Sequence, residues 1–152
     1  NYPSGKGPQR NMAKLHLMKL SVGTNDIADL AAWQESRRRA TGQPSQHVTR
    51  MWPKRAAELL DGGSIYWVIK GVMQARQRLL RLDEVIGNDG IRRCALVLSP
   101  EIHRTSPTPR RAFQGWRYLA ADDAPPDLGP YRAGQQDLPE DLEQKLAALG
   151  VL

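Results

Sequence analysis

A single cysteine, Cys94, leaves this chain without a possible internal disulfide. Histidine is nearly as scarce: His16, His47 and His103 lie far apart, and no CxxC or HExxH spacing is present to hold zinc. Neither a metal centre nor a cofactor is therefore expected. No apolar run approaches the roughly 18 residues that a membrane-spanning helix needs, and LHLMKL at 15–20 is too short and too interrupted for a signal-peptide core. The expected compartment is the cytoplasm, with no membrane partner. The GKG near the start lacks the GxxxxGK[ST] frame of a phosphate loop. No internal repeat of roughly 20–50 residues is visible either.

What the chain does have is charge, unevenly placed. Its 152 residues suit one domain with a core of its own, and 13 glycines with 11 prolines mark frequent turns. The net charge is +6, but residues 1–119 carry 20 basic and 9 acidic side chains whereas 120–152 carry 2 and 7. A basic body ahead of an acidic tail points to an anionic partner for the body. A solvated surface that the tail partly neutralises accounts for the same numbers. The expected layout is a disordered extension at 1–11, a single α+β domain at 12–119, and an acidic linker with a C-terminal helix at 120–152.

Periodicity fills in that domain. Leu15, Leu17 and Lys19 alternate with His16, Met18 and Leu20 as a strand would. Thr24 or Asn25 is expected to cap a helix to about Arg39, with Asp26 and Asp29 at its start and Arg37, Arg38 and Arg39 at its end. That order complements the helix dipole. Ile27, Leu30, Ala31 and Trp33 would supply its buried stripe. A strand at 47–52 is stopped by Pro53, and a short helix at 54–60 by Gly62 and Gly63. Residues 64–70 alternate cleanly, with Ile65, Trp67 and Ile69 on the core face and Tyr66, Val68 and Lys70 on the other.

The 72–86 stretch fits either a helix or a strand bulged near Leu79 and Leu80; flanking turn signals favour the strand. Asn88, Asp89 and Gly90 then join it to a strand at 91–98, where Cys94 is expected to be a buried, inert thiol. TSPTP at 105–109 reads as an extended connector, 113–119 as a last strand with a bulge at Gly115, and 139–149 as an amphipathic helix. Strands in a mostly consecutive meander predict a small, mostly antiparallel, partly open β-barrel with two or three flanking helices, an α+β fold.

The three stretches HVTRMWPKRAAELLDGGSIYWVIKGVMQARQ, NDGIRRCALVL and RRAFQGWRYL together resemble an uncharacterised bacterial family catalogued as domain of unknown function 1489. The resemblance covers roughly residues 12–128 and implies no mechanism. A basic helix, then GGSIYWVIKG, then a long strand and a hairpin is similar to the plan of PUA-like small barrels, which include RNA-binding, ASCH and EVE modules. That likeness implies a cleft of lysine, arginines and aromatics that receives a base or a phosphate. The GxKxxExR pattern of ASCH domains has no clean match in this chain.

Single-stranded nucleic acid is held by cations along its backbone and by aromatics on which bases stack. Both ingredients occur at Arg50, Trp52, Lys54 and Arg55, at Tyr66, Lys70 and Arg76, and at Arg111, Trp116, Arg117 and Tyr118. The leading expectation is a non-catalytic module binding RNA, or another anionic ligand, through such a cleft. For Trp52 and Trp116 core packing is an equal alternative. A small hydrolase or nuclease in the same cleft would use His47, Glu58 and Lys70 as an acid/base set, with Arg50 or Arg76 facing an anionic transition state. The same residues fit a plain Lys54–Glu58 helix pair. A third class is a protein-interaction module, whose acidic tail, with Asp122, Asp123, Asp127 and Asp137, would compete with polyanions for the basic face.

Overall fold

The structure is a computed structural model that describes residues 13–132. The extension at 1–11 and the helix at 139–149 fall outside the described residues. The elements are β1 (Leu15–Leu20), α1 (Ile27–Thr41), β2 (Gln46–Thr49), α2 (Ala56–Leu60), β3 (Ser64–Ile69), β4 (Val72–Ile86), β5 (Arg92–Leu98), β6 (His103–Pro109), β7 (Trp116–Ala120), a 3-10 turn (Ala121–Asp123) and β8 (Asp127–Pro130). This is an α+β fold dominated by sheet. Among the described residues no helix is long and apolar enough to cross a membrane.

The fifteen-residue β4 organises the sheet. Its first half pairs with β3 on one side and β6 on the other, and its second half pairs with β5. The handover comes at an irregularity between Leu79 and Arg81, where the sequence calls for a bulge. A bulge bends and twists its strand, so one strand serves two layers. The first layer runs β8-β6-β4-β3-β1-β7 and the second β4-β5-β2. The second folds back over the first: the His47 ring on β2 meets the Trp67 ring on β3 edge-on at 6.0 Å.

The expected barrel does not close. The meander holds only for β3-β4-β5, because β1 inserts parallel to β3 and antiparallel to β7, leaving β2 and β7 as the ends of an open mixed sheet. Two further elements depart from expectation. Residues 103–109 form β6 despite Pro107 and Pro109: β8 pairs only as far as Thr105, so the missing N–H groups cost no ladder bond there. Residues 127–130, expected as linker, form β8 because Asp127 is drawn to Arg76 on β4.

Both faces of β3 are buried. Ile65, Trp67 and Ile69 pack with Leu15, Leu17, Leu30, Leu96 and Leu98. Tyr66 and Val68 pack with Met73 and Leu119 in a second cluster, with Phe113 against it. Trp67 is therefore core as its alternation predicts, while Tyr66 and Val68 are core where alternation alone suggests a solvent face. Gly63 is required by close approach: a Cβ there would lie 2.3 Å from the Leu59 carbonyl oxygen and 2.6 Å from that of Leu15.

Helix α1 starts on Asp26, whose carboxylate accepts from Asp29 N at 2.8 Å, and ends on Gly42, whose N–H donates to Arg38 O in a left-handed cap. It buries only Leu30 and Gln34. Trp33, expected in its buried stripe, is 56% exposed.

Candidate functional site

The residues predicted to form one cleft are distributed over several places. Tyr66 is buried, and desolvation pushes its hydroxyl up to about 12. Trp116 is buried and donates its indole N–H to Met51 O at 2.8 Å. Arg76 reaches Asp127 with two bonds, 2.8 and 2.7 Å, and Ser64 Oγ with a third at 2.9 Å, so its cation is already neutralised. It lines a polar cleft of about 820 Å³, where His103 is likewise paired with Glu101 at 3.3 Å.

The 50–55 segment is tied across β7. The Tyr118 hydroxyl accepts from Arg55 N at 3.0 Å, and the Arg55 guanidinium lies 5.6 Å over the Tyr118 ring. Arg55, not Lys54, holds Glu58, through two bonds of 2.8 and 2.7 Å, because a bidentate guanidinium fork suits a carboxylate three residues away. Trp52 is half-buried against the core with the Arg92 guanidinium 4.0 Å over its ring, so that face is taken. Arg50 and Lys54 are exposed, and Arg117 is exposed above Phe113.

Two predicted cations do come together. Lys70 and Gly71 form the two-residue β3–β4 turn with φ of 49° and 80°, and Gly71 O accepts from Arg110 N at 2.9 Å, which brings Arg111 to the same corner. At that end of the sheet Val68 O accepts from Ser21 N at 2.9 Å, fixing the loop that leads into α1.

Behind that loop lies a hollow of about 600 Å³ that the sequence reading did not single out. Its floor is Trp67, whose indole N–H donates to Gln77 Oε1 at 2.8 Å. One wall is α1, through Leu30, Trp33 and Gln34; the other is β2, through Gln46 and His47; Lys19 and the Ser21–Thr24 loop close the rim. The loop is braced by a 2.7 Å bond between the Ser21 and Thr24 hydroxyls. The size falls within the roughly 300–1,000 Å³ of small-ligand clefts, and mostly apolar walls with a few polar groups are typical of them.

Lys19 sits in register with Trp67 and turns to the same side. It makes no ion pair among the described residues, and desolvation lowers its ammonium pKa. His47 is held neutral, its pKa lowered to about 4 by burial and secondarily by Lys19, leaving one ring nitrogen as donor and one as acceptor. Of the proposed acid/base set only His47 lines this hollow; Glu58 and Lys70 do not. Cys94 lies in the core, its thiol pushed up to about 11 by burial, and takes no part.

A second, smaller hollow of about 80 Å³ adjoins the first across Trp33, Gln34 and Gln46, and adds Arg37, Thr41 and Gln43. Arg37 lies 5.3 Å over the Trp33 ring. The loop that floors it is anchored by Arg38, which donates to Ser45 Oγ at 2.6 Å.

Lys19 and Trp33 were missed for a physical reason. Lys19 reads as one polar position in an apolar strand, and Trp33 falls on the apolar stripe of a helix. Only the fold-back of β2 over β3 turns those two positions into a rim.

No curated protein and no solved structure matches the chain. A family model described as "Protein of unknown function (DUF1489)" matches residues 17–152, reaching beyond residue 128 where the sequence resemblance stopped. With that match spanning most of its length, the chain belongs to the DUF1489 family.

Proposed function

We propose that this protein is a non-catalytic module that binds single-stranded nucleic acid, RNA in particular, at the hollow between α1, β1 and β2. One observation carries the reading: Trp33, 56% exposed, stands on the rim of a preformed hollow that also holds Lys19, a half-buried cation that makes no ion pair among the described residues. A desolvated, unpaired ammonium is costly unless an anion completes it. An exposed indole beside it offers a stacking face, a contact that contributes roughly 1–3 kcal/mol per base. Lys70, Arg110 and Arg111 gather at the same end of the sheet and extend the positive surface. The likeness to PUA-like modules belongs to this reading, as does a cytoplasmic location alongside the ligand.

The hydrolase alternative rests on His47 alone. With its pKa lowered to about 4, the ring is a weak proton acceptor near neutral pH. It is better suited to hydrogen-bonding a base or sugar than to taking a proton from one.

The test is fluorescence anisotropy with a labelled single-stranded RNA over a salt series. Trp33→Ala is expected to weaken binding about tenfold, from the stacking range above and 1.4 kcal/mol per decade. Lys19→Gln should reduce the log–log salt slope by about 0.7. RNA affinity that is absent at low salt, or indifferent to Trp33→Ala, refutes the reading; RNA cleavage lost in His47→Ala favours the hydrolase.

A further inference from the structure

The two adjoining hollows, on either side of one exposed tryptophan, bear on how much ligand the site holds. Lys19 lines only the larger one and Arg37 only the smaller one, while Trp33 lines both. Resting on the nucleic-acid reading above, we infer that the ligand is a single strand of at least two nucleotides crossing Trp33, one phosphate at Lys19 and the next at Arg37.

The smaller hollow suits a phosphate and little more. At about 80 Å³ it falls well below the size of a cleft for a whole nucleotide, and its lining sets Arg37 and the polar Thr41, Gln43, Ser45 and Gln46 beside the apolar Trp33 and Pro44. Arg37 has no ion pair among the described residues, whereas its neighbours are engaged. Arg39 holds Glu35 at 2.8 Å and Arg38 holds Ser45. Its guanidinium lies over the Trp33 ring, a contact that leaves its outer N–H groups free for a bidentate phosphate contact. The loop is fixed in advance, since Ser45 O accepts from Leu98 N at 2.8 Å and the Thr41 hydroxyl accepts from Gln43 N at 3.1 Å. Ordering cost on binding is correspondingly small.

The larger hollow then takes the base and sugar. Arg37 lies over the Trp33 ring and lines the smaller hollow, while Trp33 also lines the larger hollow together with Lys19, where a base would stack. Gln34 is not available to read the base, because its amide is committed to Gln77. His47 and Gln46 on β2, with Ser21 and Thr24 on the rim, are polar groups placed to contact it. Asp29 also lines the larger hollow, with Oδ2 accepting from Asn25 N, and its charge steers a phosphate away from the α1 side and toward Lys19.

The experiment is a titration of the full chain with 5′-phosphorylated uridine mono-, di- and tetranucleotides, read by calorimetry. The dinucleotide is expected to bind at least tenfold tighter than the mononucleotide, with little further gain at four. Arg37→Gln should remove that step; Arg37→Lys should keep most of it; Lys19→Gln should weaken every length. Equal affinity for one and two nucleotides, or an Arg37→Gln effect independent of length, overturns the two-phosphate site. If the tetranucleotide still binds in a Trp33-dependent way, the broader reading survives that failure. Loss of Trp33-dependent binding at every length overturns both.

Discussion

Gln34 on α1 and Gln77 on β4 exchange two hydrogen bonds across the core, at 2.8 and 2.7 Å, from positions 43 residues apart. Gln77 also accepts from the Trp67 indole at 2.8 Å and donates to Ser99 O at 3.0 Å, so its amide is fully used. A helix with only two buried residues is thus fixed by a polar anchor next to the bulge in β4. The same anchor positions Trp33, one residue away, over the hollow.

Gln77→Leu leaves the Gln34 amide and the Trp67 N–H, both in buried residues, without their partners. It is expected to cost about 2 kcal/mol, the usual penalty for orphaned buried polar groups. The measurement is the urea midpoint at unchanged slope. The double variant Gln34→Leu with Gln77→Leu should recover part of the loss, and additive single effects would contradict the coupling. RNA affinity should fall in Gln77→Leu although Gln77 does not line the hollow.

The Arg76–Asp127 pair is mostly buried, with 11% and 28% of the two side chains exposed. Asp127→Ala strands the arginine and is expected to destabilise by about 3 kcal/mol, whereas replacing both partners with apolar residues should cost far less. Thermal unfolding of the three variants checks this. Oligonucleotide affinity should be unchanged throughout, because Arg76 is neutralised inside the sheet and does not line the Trp33 hollow.

His16 is fully buried; Ser64 N donates to its Nδ1 at 3.0 Å, so the neutral ring carries its proton on Nε2. Burial first, and Arg76 second, lower its pKa to about 4, with Asp127 opposing. Between about 4 and the ordinary 6.5 the unfolded chain therefore binds a proton that the folded chain does not. The stabilisation is complete above 6.5 and is lost as the pH falls through that window, on the order of 3 kcal/mol. His47 acts in the same direction. Urea unfolding at pH 7.5, 6 and 5 should show declining stability, and His16→Asn, which keeps an acceptor for Ser64 N, should flatten the decline.

Lys70 takes a φ of 49° in a turn that requires positive φ at both central positions. Lys70→Asn produces the preferred Asn-Gly pair and should raise stability by about 0.5 kcal/mol, a fraction of the 1–2 kcal/mol that left-handed backbone costs most residues. Differential scanning calorimetry reads the gain. RNA binding should lose only the contribution of one exposed charge.

Much of the fold is legible locally. Alternation marks β3 and places Trp67 inward, the turn signals around 72–86 favour a strand over a helix, and even its bulge near Leu79 can be read from the break in the pattern. The buried thiol of Cys94 follows from its apolar run. These features depend on residues a few positions apart, which is the range over which backbone periodicity and turn chemistry act.

What the sequence by itself determined, then, is the inventory: an α+β chain with a basic body and most of its strands in their proper places. Tertiary structure alone decided which aromatics and cations are free. Tyr66 looks outward by alternation and is enclosed in a second apolar cluster with Met73 and Leu119; Arg76 looks available and is claimed by a carboxylate 51 residues away; Trp33 looks buried and is left on a rim. Burial and ion pairing are set by contacts between distant segments, and no local pattern encodes which segment will arrive.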